Sequence, residues 1–167
     1  QAMAGVKFKL FDSGNKELGV FTTNAAGNIT LTGLHGGTTV YVQEVETQPG
    51  YALDSALHPV ALQWGKTSTV TMKNRKIYGK LELFKVAADS SILAKTEEKS
   101  PLAGAVFEIY DEQGKVVDTL TTDEDGHAVS RLLPVGKYTG KEITAPKFFL
   151  LNGKVFGFSI TEQGQVI

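Results

Sequence analysis

The 167 residues carry 17 basic and 18 acidic side chains for a formal net charge of -1, with 41% hydrophobic content and no cysteine. Such a balance lacks the basic stripe that nucleic acid requires and the polybasic run that binds a membrane surface, and without cysteine there are no disulfides, zinc thiolates or thiol nucleophiles. No apolar run approaches the roughly 20 residues of a membrane span, and no signal-peptide pattern is present, so an exported form would have shed its signal.

Val6, Phe8 and Leu10 alternate with Lys7 and Lys9, the period of a half-buried strand. Ser13-Gly14-Asn15 is turn chemistry, Leu18 to Thr23 reads as the returning strand, Asn24 to Asn28 turns again, and Ile29 to Leu34 reads as a further strand. Gly36-Gly37 reverses the chain into the run Val40-Tyr41-Val42-Gln43-Glu44, and Pro49-Gly50-Tyr51 follows it. An irregular stretch from Ala52 to Pro59 leads to a strand around Val60 to Gln63, and Gly65-Lys66 turns into Thr67 to Asn74, a β-rich closing strand. Arg75-Lys76 forms a junction without a Pro- or Ser-rich linker.

Beyond the junction, Gly79 to Val86 alternates so that Leu81, Leu83 and Lys85 share one face, with Lys80, Glu82 and Phe84 on the other. Ala87 to Ser100 is a polar insertion, read as a loop, in which Ile92 to Glu97 has room for one helical turn. Pro101 to Asp111 restarts the strand pattern, with turns at Glu112-Gln113-Gly114, at Asp123 to Gly126 and at Asn152-Gly153, the last a two-residue hairpin signal. A shift of 99 residues lays Ala4-Gly5, Phe8, Asp12, Thr22-Thr23, Gly27, Leu34, Gly37 and Gly65 on Ala103-Gly104, Phe107, Asp111, Thr121-Thr122, Gly126, Leu133, Gly136 and Gly164. A period of that length means two homologous domains, expected at residues 1–76 and 77–167. The first has no counterpart of the Lys85 strand, and the second stops before the counterpart of Asn74. The expectation is a window cut from a longer tandem array, its first unit lacking a first strand and its second a last one.

The order strand-Lys85, Pro101-Leu102-Ala103-Gly104-Ala105-Val106-Phe107, Tyr110-Asp111, Thr121-Thr122-Asp123, Leu133-Pro134-Val135-Gly136-Lys137-Tyr138 and Lys141-Glu142-Ile143-Thr144-Ala145-Pro146 resembles the Cna protein B-type domains of Gram-positive surface proteins, the repeats of adhesin stalks and sortase-assembled pilins. The likeness runs over Gly79 to Ile167 and, more loosely, Ala4 to Asn74. It implies an all-β fold of two tandem immunoglobulin-like, prealbumin-like sandwiches. It also implies an intramolecular isopeptide bond between a first-strand lysine and a last-strand asparagine, promoted by a buried glutamate. Lys85 matches the lysine, Asn74 the asparagine, and Glu44 and Glu142 the glutamate. Lys85 and Asn74 belong to different units, so their partners are expected outside this window, and the chain as given is expected to lose no ammonia.

The chemistry has a physical basis. An amine attacks a carboxamide only when neutral, and an apolar setting favours that form by desolvating the charge. A protonated carboxyl can polarise the amide carbonyl and relay protons as ammonia leaves, and contact within a fold supplies the effective concentration that solution lacks. The reaction runs once, so it is maturation and not turnover.

Plainer readings exist for each residue: a solvent-facing strand glutamate, a snorkelling Lys85, a strand-end Asn74. Trp64 suits either packing over a domain edge or a binding patch, Asp123-Glu124-Asp125-Gly126 suits a turn better than a calcium loop, and His35, His58 and His127 are scattered among loops. No enzyme, metal or cofactor is expected. The resemblance points to a structural stalk module of an extracellular, cell-wall-anchored adhesin or pilin. Its partners would be neighbouring repeats of the same polypeptide, other pilin subunits or a host matrix protein. A matrix-binding module and an accessory domain of a secreted carbohydrate-active enzyme are the alternatives.

Overall fold

A computed structural model describes residues 2–167, which divide into two compact units meeting at Lys76 and Ile77. Unit 1 holds β1 (Lys7–Phe11), β2 (Glu17–Thr22), β3 (Thr39–Glu46) and β4 (His58–Ala61) in one antiparallel sheet of order β2-β1-β3-β4. Unit 2 holds β5 (Tyr78–Gly79), β6 (Glu82–Phe84), β7 (Val106–Tyr110), β8 (Val116–Thr121), β9 (His127–Val129), β10 (Leu133–Pro134), β11 (Gly136–Thr144) and β12 (Val155–Ile160). Its main sheet, β8-β7-β11-β12, repeats the order seen in unit 1, and no helix occurs among the described residues.

The repeated residues are the ones the turns require. Asp12 Oδ1 accepts the N–H groups of Gly14 and Lys16, and Asp111 Oδ1 accepts those of Gln113 and Lys115. Asn24 and Asp123 close the next turn in the same way, which is the use made of the acidic cluster at Asp123. Thr23 Oγ1 joins the Val6 N–H to the Met3 carbonyl, and buried Thr122 Oγ1 joins the Ala105 N–H to the Leu102 carbonyl.

Unit 2 is a two-layer sandwich. Its second layer centres on the strand from Gly79 to Val86, which pairs antiparallel with β9 and β10 on one side. On the other it pairs in parallel with the chain end, through Lys80 N–H to Gln165 O (2.8 Å) and Glu82 N–H to Ile167 O (2.7 Å). One core fills the space between layers: Leu81, Ala128 and Leu133 from the second, Phe107, Ile109, Leu120, Tyr138 and Ile160 from the first. Burial of this kind contributes about 25 cal/mol per Å² of apolar surface.

Unit 1 has only the first layer. Ile29 to Leu34 and Thr67 to Asn74, both expected as strands, belong to no β-ladder, and Gly33 in the first has φ +78°. The physical reason is that a strand is a property of a pair. The counterparts of these segments in unit 2 pair with the Gly79–Val86 strand, and nothing stands in its place among the described residues of unit 1. The inner face of the β2-β1-β3-β4 sheet consequently opens on a cavity of about 1170 Å³. One local expectation also changes: Asn152-Gly153 does not form a two-residue hairpin but lies in a loop between Thr144 and Val155. The insertion from Ala87 to Ser100 is a loop, as expected, with a turn at 92–95 closed by the Ser91–Thr96 bridge.

Candidate functional site

Both glutamates of interest sit where the middle strand bulges. In β3 the register against β1 slips between Phe8, paired with Glu44, and Lys7, paired with Glu46; in β11 it slips against β7 between Phe107, paired with Glu142, and Val106, paired with Thr144. The extra residue, Val45 or Ile143, follows the glutamate in each unit. A bulge of this kind re-aims the neighbouring side chain, and both carboxyls are turned inward, each residue only 1% exposed.

Each carboxyl is held by a backbone N–H from the loop ten residues on. Glu44 Oε2 accepts from Asp54 N–H at 2.7 Å, and Glu142 Oε2 accepts from Asn152 N–H at 2.7 Å. That bond is why Asn152-Gly153 does not make a tight hairpin. The remaining contacts differ. In unit 1, Asn74 Nδ2 lies 2.6 Å and 2.8 Å from the two Glu44 oxygens and donates as well to the Ala52 carbonyl at 3.3 Å. In unit 2, Lys85 Nζ lies 2.9 Å from Glu142 Oε1, in charge contact but off the line of a good hydrogen bond, and the lysine side chain is 17% exposed.

The strand around Lys85 is fixed from both sides by its backbone. Its N–H donates to Gly126 O at 2.7 Å and its carbonyl accepts from Leu102 N–H at 2.9 Å. Gly126 has φ +68°, and a Cβ there would stand 2.3 Å from the Lys85 carbonyl oxygen, so only glycine fits. Gly79, Leu81, Leu83 and Lys85 point inward while Lys80, Glu82, Phe84 and Val86 are exposed. The structure thus brings Glu44 to Asn74 and Lys85 to Glu142, and it places Lys85 and Asn74 in different units.

The loop donors at Asp54 and Asn152 and the bulges left no mark on residue type, since a backbone N–H belongs to almost every residue. His58 also gains a partner, its Nε2 lying 2.9 Å from Asp54 Oδ2 on the loop that holds Glu44. Trp64 leans on Gly36 and Gly37 yet stays 73% exposed. No group of three or more His, Asp or Glu side chains among the described residues is placed to hold a metal ion.

The chain is all-β, with a buried glutamate on the corresponding middle strand of each unit. Residues 1–76 and 89–167 match the family described as the SpaA prealbumin-like fold domain, and the chain belongs to that family. It is a family of pilin-type structural domains and not an enzyme class. Among known proteins, the chain is 43% identical to the trypsin-resistant surface T6 protein of Streptococcus pyogenes serotype M6 over 58 residues, 35% of this chain and 11% of that protein. The solved TIE protein of Bacillus anthracis is 32% identical over the whole chain, with a TM-score of 0.81 and 30% of its own length covered. A C-terminal fragment of the pilus adhesin SpaC from Lactobacillus rhamnosus GG shares the fold at 16% identity, with a TM-score of 0.58, over 96% of this chain and 76% of that one. The chain thus spans less than a third of the T6 and TIE proteins. The family match omits residues 77–88, which include Lys85.

Proposed function

We propose that the chain is a pair of shaft modules from an extracellular, cell-wall-anchored adhesin or pilin, each of a type that crosslinks itself through a glutamate-promoted lysine–asparagine isopeptide bond. One observation carries this reading. On equivalent bulged strands, Glu142 meets the lysine of the set at 2.9 Å and Glu44 meets the asparagine at 2.6 Å. Superposed by the repeat, these two contacts would make up one arrangement of lysine, glutamate and asparagine. In a completed unit the neutral Lys85 amine would attack the asparagine side-chain carbonyl, forming a C–N bond as the original amide C–N bond breaks. The amide nitrogen departs as ammonia, with the glutamate moving protons between the two nitrogens and the carbonyl oxygen.

The parallel pairing of first strand and chain end in unit 2 supports the geometry. Lys80 bridges Val166, and Asn74 follows Gly65 by nine residues, so an asparagine nine positions after Gly164 would run alongside to the neighbourhood of Lys85. Such a bond would close a loop of nearly the whole domain, worth up to about 5 kcal/mol in the chain-entropy treatment of crosslinks. Neighbouring repeats and other pilin subunits are the partners of such a module.

The test is to extend the chain after Ile167 with the six residues Thr69 to Asn74 of unit 1, Thr-Val-Thr-Met-Lys-Asn. The expected intact mass is one ammonia short, and full in the Lys85→Arg and Glu142→Ala variants. A folded, extended chain at full mass would rule out the crosslink in unit 2.

A further inference from the structure

Asn152-Gly153 is a turn dipeptide that the fold does not use as a turn. Leu151 to Val155 run through the loop as exposed, irregular chain. Asn152 N–H donates to Glu142 Oε2 at 2.7 Å and Lys154 N–H to Asn152 Oδ1 at 3.2 Å, whereas the Gly153 N–H between them meets no acceptor among the described residues. A Cβ added at Gly153 would find nothing within 4 Å. The glycine nitrogen is therefore unengaged and its backbone is free to turn.

This combination has a chemical consequence. The side-chain carbonyl carbon of an asparagine can close a five-membered ring with the nitrogen of the next peptide, a reaction helped by proximity and by a donor on the carbonyl oxygen. Here the Lys154 N–H is that donor, and the hydrogen-bonded ring it makes spans the Gly153 peptide. Asp125-Gly126 offers the same chemistry in aspartate form, but it is locked. Gly126 N–H donates to the Asp123 carbonyl at 3.0 Å, and the glycine is packed against the backbone of Lys85, Pro101 and Leu102. The other asparagines precede Lys16, Ala25, Ile29 and Arg75, whose side chains crowd the attacking nitrogen, and Asn74 is also held by Glu44.

We propose that Asn152 is a site of spontaneous self-modification, at which the loop rearranges to isoaspartate and loosens its hold on Glu142. The Gly153 nitrogen bonds to Asn152 Cγ and gives up its proton as the Cγ–Nδ2 bond breaks, and Nδ2 leaves as ammonia. Water then opens the succinimide. Attack at Cγ gives aspartate, and attack at the main-chain carbonyl gives isoaspartate, in which the chain runs on through Cβ and Cγ; nothing is oxidised or reduced. Either product carries a carboxylate on the residue whose N–H holds Glu142, and like charges repel. Isoaspartate also lengthens the main chain by one methylene at that point.

The test incubates the intact 167-residue chain at mildly alkaline pH and then cuts it with trypsin, with fresh chain digested in parallel. Cleavage after Lys147 and Lys154 isolates Phe148 to Lys154. Two new forms of this peptide are expected, each with one ammonia replaced by one water, and one of them a substrate for isoaspartyl methyltransferase. Gly153→Ala, which the open space around it accommodates, should convert at least about tenfold more slowly, equivalent to roughly 1.4 kcal/mol in the barrier. In the converted chain the residue 152 amide should exchange faster with solvent than in fresh chain. Persistence of Asn152 while another asparagine converts, or equal rates in Gly153→Ala, would overturn the site. Conversion that leaves exchange at residue 152 unchanged would overturn its effect on Glu142.

Discussion

At the scale of residues, the buried Lys85–Glu142 pair is an asymmetric device. Removing one partner leaves a desolvated charge without compensation, whereas replacing both with neutral groups does not. Lys85→Met should therefore cost unit 2 roughly 3 kcal/mol, and Lys85→Met with Glu142→Gln clearly less, read from amide exchange of β7 and β11. Exchange is the right probe because the single tryptophan, Trp64, reports only on unit 1. Tyr138 gives a pH signature. Burial raises its phenol above the usual value, the Asp111 charge adds to the rise and Arg131 opposes it, while its hydroxyl donates to the Pro134 carbonyl at 2.7 Å. A raised phenol pKa favours the protonated side chain in the folded state. That contribution is complete below about pH 10, the unfolded value, and is lost as pH climbs through the higher folded one. Tyr138→Phe should cost about 1 kcal/mol near neutrality and flatten the fall in stability above pH 10. Gly126→Ala should destabilise more than Gly114→Ala, because both have positive φ but only at Gly126 would the new methyl run into the Lys85 carbonyl oxygen; thermal unfolding of the two variants checks the order.

At the scale of elements, the alternating runs at β1, β2, β7 and β8 were legible because their pairing partners lie a turn away and the turn residues repeat. Ile29–Leu34 and Thr67–Asn74 look like strands for the same compositional reasons, yet they stand unpaired, since sequence pattern reports a strand's fitness and not its neighbour. Amides of 29–34 and 67–74 should consequently exchange faster than those of His127–Val129 in unit 2, and comparable protection would contradict the pairing described here. The site was legible to the same extent. Residue type and repetition single out Glu44, Glu142, Lys85 and Asn74, but the bulges at Val45 and Ile143 and the N–H donors at Asp54 and Asn152 arise from chain geometry. Asn152-Gly153 shows the cost of reading locally: a buried carboxyl ten residues upstream holds that loop and overrides its turn preference.

At the scale of the whole molecule, the proposed crosslink needs a lysine, an asparagine and a glutamate in one unit, and the 167-residue chain, which brings together only Glu44 with Asn74 and Lys85 with Glu142, should show the full mass of its sequence, with no ammonia lost. In unit 2 the first strand and the chain end run parallel, so tension applied at the start of one and the end of the other shears their hydrogen bonds together and does not peel them singly. A covalent bond between these two strands would transmit tension past the fold, a property suited to a shaft and of little use to a catalyst. The most direct measurement is the intact mass of a polypeptide in which this chain is extended by one strand at each end, so that unit 1 gains a first strand and unit 2 a last one. The account predicts one missing ammonia for each completed unit, with one restored by Glu44→Ala and another by Glu142→Ala. Full mass in the folded parent protein would contradict it.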